Sequence, residues 1–228
     1  SRGGGEFSAR VLKDALWSRG VSKVDALIVS HSDIDHYNGA IDLLKSVPVG
    51  HVLCSRHFPD ARQALTLQMF KQAEELEAKS TIVSKGDRVR LDDSVVIRVL
   101  QPIASASYES DNASSIVLEI EYRDHRILLT GDLDEDGLEE LLQQPPRDVD
   151  VLLAPHHGEP GANPSALAEW ANPNWVIASA PTPAYRDKLV ANYGPSARVL
   201  MTSESGAVTV VVNGAGGLNV EPFLSQGN

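Results

Sequence analysis

"LIVSHSDIDHYNGAIDLL", residues 27–44, runs an apolar segment straight into His31, Asp33, Asp35 and His36, and then into an amphipathic stretch. The continuous apolar run Ala26 to Ser30 has the length of a buried strand, and Asn38 to Val47, closed by Pro48, has helical spacing. The polar cluster therefore occupies a strand-to-helix loop. Four potential ligands at H-x-D-x-D-H spacing suit a divalent cation, because imidazole and carboxylate together match Zn, Mn or Fe.

The rest of the chain repeats that pattern. Strand Ile127 to Thr130 leads to Gly131-Asp132 and a helix, and strand Val149 to Ala154 leads to Pro155-His156-His157-Gly158 and another helix. Open α/β sheets place ligands outside the carboxyl ends of their strands, so three such loops are expected to converge on one point. Taken singly, a Gly-Asp pair is commonly a turn or helix cap, and His-His-Gly an ordinary strand exit. Together with the first cluster they predict a metal centre. Two ions about 3.5–4 Å apart need a bridging carboxylate, a role open to Asp132, and such a pair activates water and steadies a phosphoryl or acyl oxyanion.

The remaining elements complete an α/β order. Phe7, Val11, Leu12, Ala15 and Leu16 predict a helix stopped at Gly20, His51 to Cys54 a strand, and Ala61 to Lys79 a charged helix. "DRVRLDDSVVIRVL" reads as a hairpin about Asp92-Asp93, and "SSIVLEIEYRDHRILLTGD" as a second one turning over Arg123 to Arg126. Strand Trp175 to Ser179, helix Pro183 to Tyr193, strand Val199 to Thr202 and a terminal hairpin from "GAVTVVV" follow.

Composition narrows the function. With 228 residues, 42% of them hydrophobic, the chain can bury a substantial core as one domain, residues 1–228. A single cysteine, Cys54, excludes an internal disulfide framework and reads as a buried thiol. A net charge of -11 argues against a generic basic surface for nucleic acid, so a phosphate substrate would need a local cation. No apolar stretch approaches the roughly 20 residues that span a bilayer, which predicts a soluble piece.

His31, Asp33, Asp35 and His36, then Gly131-Asp132, then "PHHG" with His156 and His157, resemble in that order the metallo-β-lactamase superfamily. The resemblance implies an αββα sandwich binding one or two divalent metals at one edge. "DNASSIVLEI", "ILLTGDL", "VLLAPHHG" and "MTSESGAVTV" further resemble the β-lactamase-like domain of ComEC-type DNA-uptake proteins of bacterial competence. That likeness implies an extracytoplasmic domain of an inner-membrane protein, partnered by the membrane-embedded channel portion of the same polypeptide. Its expected activity is a metal-dependent hydrolase, a phosphodiesterase or nuclease acting on DNA, single-stranded in the uptake setting. Alternatives are a metallohydrolase of another ester or lactone, and a non-catalytic module that receives or gates DNA.

By the same resemblance His31 and Asp33 would hold one ion, and Asp35, His36 and one of His156 or His157 the other, with Asp132 between them; side-chain alternation along the strand before Pro155 points the two histidines apart and favours His156 as the ligand. Asp35, Asp132 and His157 carry the expected catalytic roles, His157 as a neighbour that donates to a carboxylate or substrate oxygen. Asp33 stands where the wider superfamily has histidine, and no counterpart of its separate third-motif histidine is present. Both departures fall on one metal position and make it harder, which favours Mn relative to Zn. Family members also begin with strands carrying an aspartate-glycine loop that would precede Ser1, so the expectation is a sandwich lacking its first strands, a fragment of a longer protein. Asn112 and Ser115 are candidate substrate contacts, and His57, just past a strand end, is a further one.

Overall fold

The computed structural model describes residues 3–58, 64–90 and 94–224. Helix α1 (Gly3–Ser18) precedes strand β1 (Val24–Ile28), helix α2 (Ile34–Ser46), strand β2 (Val49–Ser55), helix α3 (Ala64–Glu75) and strand β3 (Lys79–Val83). Strands β4 (Arg88–Arg90), β5 (Val95–Gln101), β6 (Val117–Tyr122) and β7 (His125–Leu129) follow, then α4 (Glu135–Leu142), β8 (Val151–Leu153), α5 (Ser165–Ala171), β9 (Trp175–Ala178), α6 (Arg186–Tyr193) and β10 (Arg198–Met201). A short α7 (Thr202–Ser205) and the hairpin β11 (Val208–Val212) and β12 (Leu218–Pro222) close the described chain.

Two β-α-β units make β1-β2-β3 a parallel sheet. The larger sheet runs β10-β9-β8-β7-β6-β5-β4, antiparallel from β4 to β7 and parallel from β7 to β10. Antiparallel β6 and β7 join by a two-residue turn and β5 and β6 by the loop 102–116, whereas each parallel step needs a crossover, supplied by α4, α5 and α6.

Side chains alternate between faces along each strand, and this sorts the core into layers. Val52 and Cys54 of β2 pack outward on Tyr37, Ile41 and Leu44 of α2 and on Met69 and Ala73 of α3. Leu53 between them points inward, with Val83, against Ile97, Val99 and Leu118 of the large sheet. Leu128, Leu152, Val176 and Val199 turn to the other side, onto Leu138, Leu141, Leu167 and Leu189 of the second helix layer. The result is helix, sheet, sheet, helix, the expected αββα sandwich. Hairpin β11–β12 covers Val151, Leu153 and Ile177 beside the smaller sheet.

Two expected boundaries move. The helix expected over Ala61 to Lys79 ends at Glu75, its first residues lying outside the described ones. Glu77 adopts φ 60, and Ala78 N–H donates to Ala73 O at 2.9 Å, the closure that ends a helix and frees Lys79 to start β3 on the edge of β2. The second hairpin turns over Arg123 and Asp124 alone, both at positive φ (48 and 66), so His125 and Arg126 belong to β7. A two-residue turn of this kind matches the twist of its strands. The turn expected at Asp92-Asp93 lies outside the described residues.

Candidate metal centre

The three predicted loops leave the carboxyl ends of β1, β7 and β8 and meet. The first straddles loop and helix: Asp33, with extended backbone, is the N-cap of α2, and His36 N–H donates to Asp33 O at 3.0 Å, so Ile34 to His36 form the first helical turn. His31 is fully buried. Ser30 Oγ bridges the two imidazoles, 3.0 Å from His31 Nδ1 and 3.3 Å from His36 Nδ1, and the ring centroids lie 4.1 Å apart.

The second loop depends on Gly131. Its φ is +55, and a Cβ there would stand 3.0 Å from Ser30 Cβ and 3.2 Å from Ser115 Oγ, so glycine meets both the conformation and the close approach. Ile116 N–H donates to Ser30 O at 2.9 Å, and Thr130 Oγ1 donates to Leu153 O at 2.7 Å, tying the three strand ends together. Asp132 follows, nearly buried, with Oδ2 3.1 Å from His36 Nε2 and 3.4 Å from His157 Nε2. Burial pushes its carboxyl up, but the hydrogen bond and charge of His36, with His157 and His31 behind, outweigh burial and hold it below the usual carboxylate range.

In the third loop His156, His157 and Gly158 all take positive φ (48, 56 and 85), after Pro155 has ended the strand. Successive left-handed residues abolish the alternation of a strand, and the two imidazoles diverge. His156 Nδ1 lies 3.1 Å from Asp134 Oδ2. His157 Nδ1 donates to Ser179 O at 2.9 Å, which leaves Nε2 to face Asp132. The expectation favoured His156 toward the metal with His157 beside it; in the structure it is His157 that faces Asp132, and His156 faces Asp134.

Other expected residues take varied places. Asp33 is half-exposed, its Oδ2 3.9 Å from His31 Nε2, and the side chain of Asp35 lies outside the described residues. His31 and His36 share one cluster with Asp132. Asn112 Nδ2 donates to Asp134 Oδ2 at 3.2 Å, and Ser115 is buried beneath Gly131. His57 Nε2 contacts Ile103 O at 3.2 Å and its ring meets Tyr108 edge-on. Asp134 is a residue the sequence reading missed: it collects His156, Asn112 and Ser110 while capping α4. Its signal was the D-x-D spacing after β7.

A ligand atom each from His31, His36 and Asp132 falls within 4.8 Å of the others. Imidazoles from two loops aimed at one carboxylate form a donor set suited to a borderline divalent ion, so these residues fit the expected metal. A cleft of about 490 Å³ between the sheets shares His36, Asp132 and His157 in its lining with the apolar Ile28, Ile97, Leu118, Leu129 and Leu153.

Residues 3–191 match the model of the metallo-β-lactamase superfamily, and the chain belongs to that family, whose members are generally metal-dependent hydrolases. It is 31% identical over 172 residues to ComE operon protein 3 of Bacillus subtilis (strain 168), covering 75% of this chain and 22% of that one. It is 24% identical over 218 residues to competence protein ComA of Neisseria gonorrhoeae, covering 91% of this chain and 28% of that one. The chain thus spans less than a third of either relative. A crystal structure from Parabacteroides distasonis ATCC 8503, of a protein named as a metal-dependent hydrolase, shares the fold at TM-score 0.52 and 12% identity, over 79% of this chain and 77% of that one. Among the described residues no helix is long and apolar enough to cross a membrane.

Proposed function

We propose that the domain is a metal-dependent phosphodiesterase acting on DNA, single-stranded where uptake delivers it, on the extracytoplasmic side of a competence protein whose channel lies in the inner membrane. The observation that carries this reading is Asp132 Oδ2 facing His36 Nε2 at 3.1 Å and His157 Nε2 at 3.4 Å, with His31 in the same cluster. The two competence relatives support the DNA setting.

In this reading His31, His36, Asp132 and His157 hold a divalent ion, Zn or Mn, and Asp33 and Asp35 are the carboxylates available to a second one. The ion would supply Lewis acidity and activate water. Ser30 orients two of the imidazoles, Asp132 would be the carboxylate shared between ions where two are held, and the half-buried His156, anchored on Asp134, would use Nε2 to hydrogen-bond a substrate oxygen. With a net charge of -11, attraction for phosphate would come from the bound cation rather than from a basic surface.

The apolar cleft beside the cluster favours a second reading, an ester or lactone whose hydrocarbon part would lie against Ile28 and Leu129. Metal analysis of protein purified without added metal, then hydrolysis of single- and double-stranded DNA, a generic phosphodiester and a lactone with Mn and with Zn, tests both. DNA cleavage lost in Asp132→Asn is the expected result. Cleavage of the lactone alone would establish the second reading, and metal-loaded protein that cleaves none of the four would leave a DNA-receiving or gating module.

A further inference from the structure

The turn that carries His157 is conformationally expensive. Non-glycine residues are disfavoured in the left-handed region and persist there where the surroundings over-determine them. Here two in succession, His156 and His157, precede a third left-handed residue, Gly158, whose added Cβ would meet Ala178 and Leu189 at 3.0 Å.

A buried amide outside the cluster brackets this turn. Asn163 is fully buried between the turn and α5. Its Nδ2 donates to Pro155 O at 2.9 Å and to Glu159 O at 2.7 Å, the carbonyls on either side of His156–Gly158. Its Oδ1 accepts from Tyr193 Oη at 2.9 Å, and its backbone carbonyl accepts from Asn192 Nδ2 at 2.7 Å, both at the end of α6. Every polar atom of the side chain is engaged, so the amide has one orientation, with its NH2 toward the turn. Asp134 and Ser179 hold the Nδ1 sides of the imidazoles; Asn163 holds the backbone from which they project.

We infer that Asn163 is a positioning residue of the metal centre, which locks the His156–Gly158 turn and so places His157 Nε2 against Asp132, with Tyr193 fixing the orientation of the Asn163 amide. The inference rests on the reading of His157 as a ligand. Loss of an outer hydrogen-bonding partner of a ligand weakens metal affinity about 10–100-fold, and the same range is expected here, because the ligand is misplaced rather than removed.

The test uses Co(II) titration of the 228-residue chain, reading both affinity and the visible ligand-field spectrum, with thermal midpoints measured in chelator. Asn163→Ala is expected to weaken Co(II) binding by about tenfold or more and to change the spectrum, with Tyr193→Phe shifting both in the same direction by less. Leu141→Ala, a buried change at the far end of α4, controls for stability: it should lower the thermal midpoint while affinity and spectrum stay as in the wild type. A folded Asn163→Ala protein with wild-type affinity and spectrum would overturn the inference. If Asn163→Ala does not fold, Tyr193→Phe decides, and wild-type binding in that variant overturns it. His157→Ala separates the two levels: wild-type Co(II) binding there sinks the ligand reading and the positioning role together, whereas weakened binding there with none in the Asn163 variant sinks the positioning role alone.

Discussion

His157 Nε2 stands 3.4 Å from Asp132 Oδ2, although His156, the preceding residue, turns to Asp134 on another side of the loop. His157→Ala should therefore lower the metal-to-protein ratio of purified protein, while His156→Ala should retain metal and lose hydrolysis. Removal of a direct ligand is expected to cost more than the roughly 10–100-fold in affinity typical of outer partners. Elemental analysis of the two variants checks this, and the reverse pattern would restore His156 as the ligand.

Gly131 is the point where the loops from β1 and β7 touch. Its φ of +55 and the 3.0 Å approach that a Cβ would make to Ser30 mean that Gly131→Ala must displace either Ser30, which orients His31 and His36, or Asp132 itself. A cost of about 1–3 kcal/mol is expected from the conformation, enough to lower the thermal midpoint by several degrees. Metal affinity should fall with it. A variant with wild-type midpoint and wild-type metal content would show that the loop has room to relax.

The convergence of the three loops was legible because it follows from strand order: apolar runs ending in His or Asp, each followed by a helix, put those groups at one end of a sheet. Strand β3 was not legible, since Lys79 to Ile82 are exposed and carry no alternation; its place is set by the free edge of β2. Which of His156 and His157 turns to Asp132 was hidden because both lie past the strand at positive φ, where strand alternation no longer sets side-chain direction. Asp134 left a trace in the D-x-D spacing after β7, but its partner His156 lies 22 residues on, and the clasp of Asn163 on the turn depends on backbone carbonyls that side-chain patterning does not encode.

Cys54, near the carboxyl end of β2, packs with Tyr37 and Met69, and burial pushes its thiol up to about 11. Thiolate is the reactive form, so native protein at pH 8 should react with a disulfide reagent more slowly than unfolded protein by about a hundredfold or more. Stopped-flow absorbance with and without denaturant measures the ratio. Equal rates would mean that β2 opens readily.

His125 provides the pH dependence expected of the fold apart from the metal centre. At the start of β7 its Nε2 lies 2.8 Å from Gly216 O, in the turn of the β11–β12 hairpin, and its Nδ1 lies 3.2 Å from Asp150 Oδ2, which also accepts the Arg126 N–H. Nε2 hydrogen-bonds a carbonyl and Nδ1 lies at ion-pair distance from a carboxylate, so the protonated ring is the favoured form. The Gly216 hydrogen bond first, then Asp150 and Asp124, raise its pKa above the ordinary 6.5 against an opposing effect of burial. A raised folded pKa means that the stabilisation is fully present below the unfolded value and is lost as pH rises through the folded one. Partly exposed pairs of this kind contribute about 0.5–1 kcal/mol, or roughly 1–4 °C in a chain of this length. In chelator, so that metal loss does not enter, the wild type should exceed His125→Gln in thermal midpoint by that amount at pH 5.5, and the gap should shrink toward pH 9. Subtracting the variant removes the background titration of the other carboxylates and histidines. A gap that is constant, or that widens with pH, would show that the ring packs the hairpin as a neutral group and that its two acceptors do not act through its charge.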